Sequence, residues 1–356
     1  MKIIIVNRHP QENLGGSELQ CDHVARGLLE RGHDIVYLAP ATNHPIYTDD
    51  SYKITPTKPR ADDIIREIMR EKPHVVYWRF NKYCFLKVSK ALYKSGVPIV
   101  FAISSQEDTR LFLFRTKIKN GLLNFLRGIK QSVFAMYNHL GFRYVAGITS
   151  MNPDFLGKLP VKKQAFVPDI VDEEVVPFEW PRPFIVWVAN IKPQKQPEVF
   201  VKVAETLKNK DIDFLMVGKI QSELYHWILD EPKKNPNFYY LGPKTPLEVN
   251  GILQKSLMLI HTCTPEGFGN NFIQAWFQRK PTVSYAFDPA GFITKHQLGG
   301  YAAGNWDLFL KQILGLLENP ASRSECGDRG YDFAKKNFDA TSSINSIEEL
   351  ISSVAK

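Results

Sequence analysis

Glu266, followed by Gly267, Phe268 and Gly269 and a run opening at Asn270, has the residue types and spacing that most directly suggest chemistry. An apolar stretch at 257–260 leads into it. Phe272, Ile273, Trp276 and Phe277 give the residues after the glycines the spacing of a helix with one apolar side. A strand-to-helix turn poor in side chains leaves backbone N–H groups open, and the helix N-terminus adds positive partial charge, so the loop suits an anion such as a diphosphate. A carboxylate repels that anion. Glu266 is better placed to accept hydrogen bonds from hydroxyls carried beyond the phosphates, and a diphosphate carrying hydroxyls is a sugar nucleotide. Many strand-to-helix connections use glycine for geometry alone, and the loop by itself does not separate these alternatives.

The elements that must position this loop repeat along the chain. At 356 residues it is long enough for two domains, each with its own core. A strand at 3–6, the turn Gly15-Gly16-Ser17-Glu18, an amphipathic helix to about 31 and a strand at 34–38 make a βαβ unit. Such units build parallel sheets covered by helices on both faces. Strands at 75–78 and 99–103 follow, with a helix at 85–94 between them. Prolines and the cluster Asp172-Glu173-Glu174 then break the pattern, which restarts with a strand at 184–188, a helix at 197–208 and strands at 214–217, 239–241 and 257–260. The predicted class is α/β, with two facing Rossmann-like, doubly wound parallel-sheet domains and a central cleft. Their expected bounds are 1–172 and 184–335, joined by a linker at 173–183, and a C-terminal helix at 336–356 packs back on the first domain. Ligands of such sheets bind at the carboxyl ends of the strands. Arg79, ending the strand at 75–78, is therefore expected to face the cleft and contact a ligand there.

Hydrophobic content of 44% and charged content of 23% are globular values. Cys21, Cys84, Cys263 and Cys326 are scattered without a C-x-x-C pair, so neither a zinc site nor a disulfide framework is expected. The nine histidines show no paired ligand spacing, and neither G-x-x-x-x-G-K-[ST] nor G-x-G-x-x-G is present. Asp211-Ile212-Asp213 precedes a strand and is expected to be a solvated turn rather than a metal site. The chain opens at Met1 on a strand, with no cleavable leader and no apolar run that could span a bilayer, so a cytoplasmic protein is expected.

Residues 1–175 hold 25 Lys+Arg against 18 Asp+Glu, and the remainder 20 against 19, so the first half carries +7 of the net +8. Between 109 and 153 there are seven basic residues (Arg110, Arg115, Lys117, Lys119, Arg127, Lys130, Arg143) and no acid. Ile118, Leu122, Phe125, Ile129, Val133, Met136 and Leu140 form a helical stripe there, with Leu123 and Phe134 beside the basic positions. The stripe is expected to be core. Its acid-free basic side predicts contact with an anionic membrane surface, against the plainer alternative of a solvated helix face. Nucleic acid is not expected, since no motif of that kind accompanies the charge.

Glu266-Gly-Phe-Gly, then Gln274-Ala-Trp and Lys280-Pro-Thr-Val-Ser, resembles the Glu-x7-Glu segment of family 4 glycosyltransferases, retaining enzymes of the two-domain GT-B fold. The resemblance implies that Glu266 is catalytic, touching the transferred sugar, while the amides of Gly267, Phe268 and Gly269, and Asn270 behind them, face its phosphates. Gln274 stands where the family usually has a second acid for the ribose; its amide can accept and donate there without charge-assisted bonds. The run Val188 to Lys195 is similar to the loop that supplies an Arg and a Lys to the diphosphate. Lys195 matches the Lys, but Asn190 occupies the Arg position, leaving Lys195, the loop amides and Lys192 to balance the charge. Gly15-Gly16 resembles the acceptor-domain glycine loop. Where many members place a sugar-contacting histidine, this chain has Ser104-Ser105-Gln106-Glu107-Asp108, so Ser105 or Glu107 would line the site unless they only cap a helix.

Transfer in this family is thought to proceed on one face of the sugar, the leaving diphosphate helping to deprotonate the acceptor. The protein supplies mainly positioning and electrostatic stabilisation. The resemblance thus implies a metal-independent retaining enzyme that needs no cofactor. Its expected donor is a nucleoside-diphosphate sugar, UDP favoured over GDP, and its acceptor a glycan, lipid-linked, at the inner membrane face in cell-surface polysaccharide or glycoconjugate synthesis. A sugar-nucleotide epimerase of the same fold and a catalytically silent sugar-nucleotide-binding subunit are the alternatives.

Overall fold

The computed structural model describes residues 1–12, 15–41, 51–111, 122–264 and 266–355, with the side chains of 122–125 and 127 outside that description. The chain divides into two compact units, Met1–Ile170 with Ala340–Lys356, and Val171–Asp339.

In the first unit β1 (Lys2–Val6), β2 (Asp34–Pro40), β3 (Lys53–Thr57), β4 (Val75–Trp78), β5 (Ile99–Ile103), β6 (Gly147–Ser150) and β7 (Lys163–Phe166) form one sheet in the order β3-β2-β1-β4-β5-β6-β7. Every pairing is parallel. The run of three isoleucines in β1 shows why. Side chains alternate across a strand, so Ile3 and Ile5 enter a core with Leu28, Ile347 and Ile351, while Ile4 and Val6 enter another with Ile64, Ile68 and Val88. The helix Ala340–Val354 supplies part of the first core, which explains why the chain's end belongs to this unit.

Glu71 closes the helix Ala61–Glu71 against the sheet edge, within 2.7 Å of Lys2 and 2.6 Å of Lys53. Lys2 and then Lys53 hold its carboxyl down at about 2. A folded value below the unfolded one near 4.5 stabilises the protein above that pH, and the contribution is lost as pH falls toward 2. The lysines are partly solvated and screened. Glu71→Gln should therefore cost on the order of 1–2 kcal/mol in urea unfolding at pH 7, with the difference from wild type shrinking below pH about 4.

The second unit repeats the plan with β8 (Phe184–Val188), β9 (Asp213–Val217), β10 (Phe238–Tyr240), β11 (Leu259–His261), β12 (Thr282–Ser284) and β13 (Gly299–Tyr301), all parallel, in the order β10-β9-β8-β11-β12-β13. Chain order reverses between β8 and β11. That is the switch point, where loops leaving neighbouring strands diverge and open a crevice.

Three expectations are corrected. The stretch at 173–183 is not a free linker but a strap on the second unit. Asn250 donates to the carbonyls of Asp172 (2.7 Å) and Glu174 (2.8 Å), Gln278 donates to that of Glu173 (3.0 Å), and Phe178 stacks on Trp180 beside Phe184. Asp211 is solvated, but Asp213 is buried. It begins β9, accepts from the Trp180 indole at 2.8 Å and pairs with Arg182 at 2.9 Å. Lastly, the stripe expected as core on the helix Leu122–His139 faces outward: Ile129, Val133 and Met136 are 39%, 51% and 40% exposed, as is Leu140 just beyond at 38%. Gly128, Ser132 and Asn138 face inward instead, and Asn138 accepts from the Leu86 amide at 3.3 Å. The core on that side is already filled by Phe85, Phe101 and Phe142, leaving room for small and amide side chains. Arg115, Lys117, Ile118 and Lys119, and the side chains of Leu122, Leu123, Phe125 and Arg127, lie outside the described residues.

Candidate functional site

The loops leaving β8 and β11 are tied to each other. Thr264 N–H donates to the Gln194 carbonyl at 3.0 Å, and the Thr262 hydroxyl donates to the Lys195 carbonyl at 2.6 Å while accepting from the Trp187 indole at 2.8 Å. Trp187 is a buried residue of β8 and fixes both loops relative to the sheet. The chain after Val188 can hug β9 because Gly218 has φ +148°, and a Cβ there would lie 1.8 Å from the Ala189 carbonyl oxygen.

These ties bring together two side chains 71 residues apart. Lys195 and Glu266 form an ion pair, each side chain 18% exposed. Burial opposes the charge on Glu266, but the Lys195 ammonium outweighs it and holds the carboxyl well below the usual range. Burial likewise opposes the Lys195 charge and is outweighed by Glu266, so the ammonium is firmer than normal. The site thus offers an ionised acceptor beside a fixed cation.

Gly269, at φ +94°, is the turn into the helix Asn270–Phe277, whose start has no side-chain cap and whose Phe272 amide donates to the Gly269 carbonyl at 3.0 Å. Glycine is required there, since a Cβ would meet Phe272 at 3.0 Å in a backbone conformation L-residues avoid. Phe268 is buried against Trp276 and Phe338, anchoring the loop. The amide of Gly267 donates to the Glu266 carboxylate at 3.2 Å rather than standing open, which departs from the expectation for that residue. Asn190 is half-buried on the loop after β8, and Asn271 donates to the Val188 carbonyl at 2.8 Å. Gln274 donates to Asn250 at 2.9 Å, which joins it to the strap through the same Asn250 that holds Asp172 and Glu174.

The first unit treats its expected residues differently. Gly15 caps the helix Gly16–Glu30 with an ordinary φ of −125°, and Asn7 at the end of β1 donates to the Ser17 carbonyl at 3.1 Å. Arg79 does not face open space. It is 8% exposed and paired with Asp169 at 3.0 Å, because a guanidinium buried under a sheet's end needs a carboxylate beside it. Ser105 is a helix cap: Asp108 accepts from the amides of Ser104 (2.9 Å) and Ser105 (3.0 Å). Glu107 is exposed at a pocket of about 340 Å³ lined also by Lys82, Tyr83, Phe134 and Asn138, and its carbonyl accepts from Lys82 at 2.8 Å.

Sequence reasoning passed over His261 and Cys263, which lie beneath Glu266 and are 3% and 2% exposed. Burial lowers the His261 pKa, leaving the ring neutral, and burial with the Glu266 charge pushes the Cys263 thiol up to about 12. The signal was His-x-Cys-x-x-Glu at a strand end, a mixed ligand set that a search for paired histidines does not see. Among the described residues these three are the one group of metal-ligating type brought together.

Residues 172–333 match the family model described as glycosyl transferases group 1. HepE from Anabaena, solved in complex with UDP and glucose, is 13% identical with a TM-score of 0.72 over 99% of this chain and 100% of that one. Sucrose-phosphate synthase from Thermosynechococcus elongatus is 10% identical with a TM-score of 0.76 over 99% of each chain. WaaG, a glycosyltransferase involved in lipopolysaccharide biosynthesis, is 11% identical with a TM-score of 0.73 over 99% of each chain. No protein among the curated sequences matches this chain. At such identities the likenesses show the fold, which is that of the GT-B glycosyltransferases.

Proposed function

We propose that this protein is a retaining, metal-independent glycosyltransferase that moves a sugar from a nucleoside-diphosphate sugar, UDP favoured, to a glycan acceptor. The observation that carries this is the Lys195–Glu266 pair at the carboxyl ends of β8 and β11, beside the N-terminus of the helix Asn270–Phe277. The match to glycosyl transferases group 1 spans both of its loops. A diphosphate is a stronger partner for the Lys195 ammonium than one carboxylate, so an arriving donor draws Lys195 to its phosphates and frees Glu266 for the sugar hydroxyls. Charge building on the diphosphate as the sugar–oxygen bond breaks is then met by Lys195 and the helix amides. The departing phosphate oxygen takes the proton of the acceptor hydroxyl on the same face, and retention follows. A thermal-shift screen of nucleotide sugars on the full chain, followed by NMR of the product's anomeric proton, tests this. Turnover that needs no acceptor would point to an epimerase. The intact pair speaks against a silent binding subunit.

The acceptor is lipid-linked in this proposal, and the first unit rests on an anionic membrane. Leu126, Val133 and Tyr137 are 52%, 51% and 57% exposed on the helix Leu122–His139. Beside them a groove of about 840 Å³ is lined by Arg60, Lys87, Lys90, Lys94 and Arg143 with Tyr83, Tyr137 and Tyr144, although Lys87 is shared with Asp62 at 2.6 Å. Apolar side chains flanked by cations fit an anionic lipid surface. No helix among the described residues is long and apolar enough to cross a membrane, so attachment would be peripheral. Each cation near such a surface contributes on the order of 1 kcal/mol, so Lys130→Glu with Arg143→Glu should release most of the protein from anionic vesicles in co-sedimentation. Binding should also fall as salt rises. Equal sedimentation with neutral vesicles would contradict the assignment.

A further inference from the structure

His261, Cys263 and Glu266 bring a nitrogen, a sulfur and an oxygen within 4.8 Å of one another. The tautomer of His261 follows from its neighbour. Ser284 has one hydroxyl proton and donates it to the Phe287 carbonyl at 2.5 Å. Its oxygen lies 3.2 Å from Nδ1 of His261 and can only accept there, so Nδ1 carries the ring proton. Nε2 is left with a bare lone pair. That atom is buried without a hydrogen-bond partner, and a Glu266 carboxylate oxygen lies 3.9 Å away. Two electron-rich atoms facing each other with no proton between them make a position for a cation. The Lys195 ammonium, paired with Glu266, is the cation beside them in this state.

We propose that His261, Cys263 and Glu266 form a binding site for a thiophilic divalent cation of the zinc type, and that its occupation displaces Lys195 and shuts out the sugar nucleotide. Imidazole, thiolate and carboxylate are the donors zinc takes, and three protein ligands leave a fourth position for water. Zinc–ligand bonds of about 2.0–2.3 Å place tetrahedral ligands about 3.3–3.8 Å apart, so closure requires shifts of about an ångström, within reach of the Cys263 and Glu266 side chains. As the sulfur–metal bond forms, the thiol proton leaves to solvent, and Lys195 gives up its carboxylate partner. Exclusion of the donor rests on the proposed function, because ion and sugar would claim the same Glu266. The metal site itself does not.

The test is Co²⁺ titration of the full chain, followed by absorbance. One Co²⁺ per chain is expected, with a thiolate-to-metal charge-transfer band that Zn²⁺ removes by displacement. Cys263→Ser should abolish the band, and His261→Gln should weaken Co²⁺ binding at least tenfold. A variant with Cys21, Cys84 and Cys326 all changed to Ser should keep the band, which guards against misfolding of the Cys263 variant. No band in wild type, a band that survives Cys263→Ser, or its loss from the folded triple variant would overturn the site. Zn²⁺ should also abolish the thermal shift given by UDP-sugar in wild type and not in Cys263→Ser; equal shifts with and without Zn²⁺ would overturn the exclusion. A cobalt band in a protein that binds no nucleotide sugar when metal-free would leave the metal site standing and remove the donor assignment instead.

Discussion

Glu266→Ala should lower kcat/KM for transfer at least a hundredfold, equivalent to about 2.7 kcal/mol of transition-state stabilisation. In the proposed function this carboxylate accepts from the sugar hydroxyls, and the Lys195 ammonium keeps it charged against burial. Its loss also leaves the mostly buried Lys195 without a partner, so some stability is lost with it. Glu266→Gln keeps the shape and separates the two effects. Its amide oxygen still accepts a hydrogen bond from Lys195, so it should lose less stability than Glu266→Ala while losing nearly as much activity, because an amide cannot supply the charge. Either variant retaining more than about a tenth of wild-type kcat/KM has lost less than roughly 1.4 kcal/mol, too little for the assigned role.

Lys195→Ala should weaken nucleoside-diphosphate binding at least tenfold and change the pH profile. In wild type, Glu266 stays ionised well below the usual carboxylate range, so it contributes no acid limb near pH 4–5. Without the ammonium, burial becomes the dominant influence and raises the Glu266 pKa. The acid limb of kcat/KM should therefore move to higher pH in the variant, whereas no shift would follow if Lys195 were only a solvated residue. Chelator should leave wild-type turnover unchanged, or raise it where trace zinc is present; activity lost to chelator and restored by Mg²⁺ would instead assign the phosphate charge to a metal.

Both members of this pair were legible because each follows a strand of unbroken apolar residues and precedes a helix, a local pattern that places a residue at a sheet's carboxyl edge. What escaped was decided by partners far away in sequence. Arg79 looked like a cleft residue because nothing near it indicates Asp169, 90 residues on, as its buried counterion. The acidic, proline-rich strap looked like a linker, and its anchors Asn250 and Gln278 lie over 70 residues downstream. For the helix Leu122–His139 the period was right, but periodicity defines an apolar face without saying which way the helix turns it. His261 and Cys263 carried a readable spacing, yet only the fold shows that Ser284, from the neighbouring strand β12, fixes the imidazole proton on the far side of the ring.

The most direct measurement is isothermal titration calorimetry of UDP into the metal-free full chain, alongside Lys195→Ala and Glu266→Ala, with GDP, ADP and CDP in parallel. One nucleoside diphosphate should bind wild type at a single site, Lys195→Ala should bind it at least tenfold more weakly, and Glu266→Ala should bind it about as well as wild type, since that carboxylate serves the sugar and not the phosphates. The corresponding nucleotide sugar should lose affinity in both variants. No binding of any of the four, or equal binding of the favoured one by wild type and Lys195→Ala, would contradict a donor site built on β8 and β11.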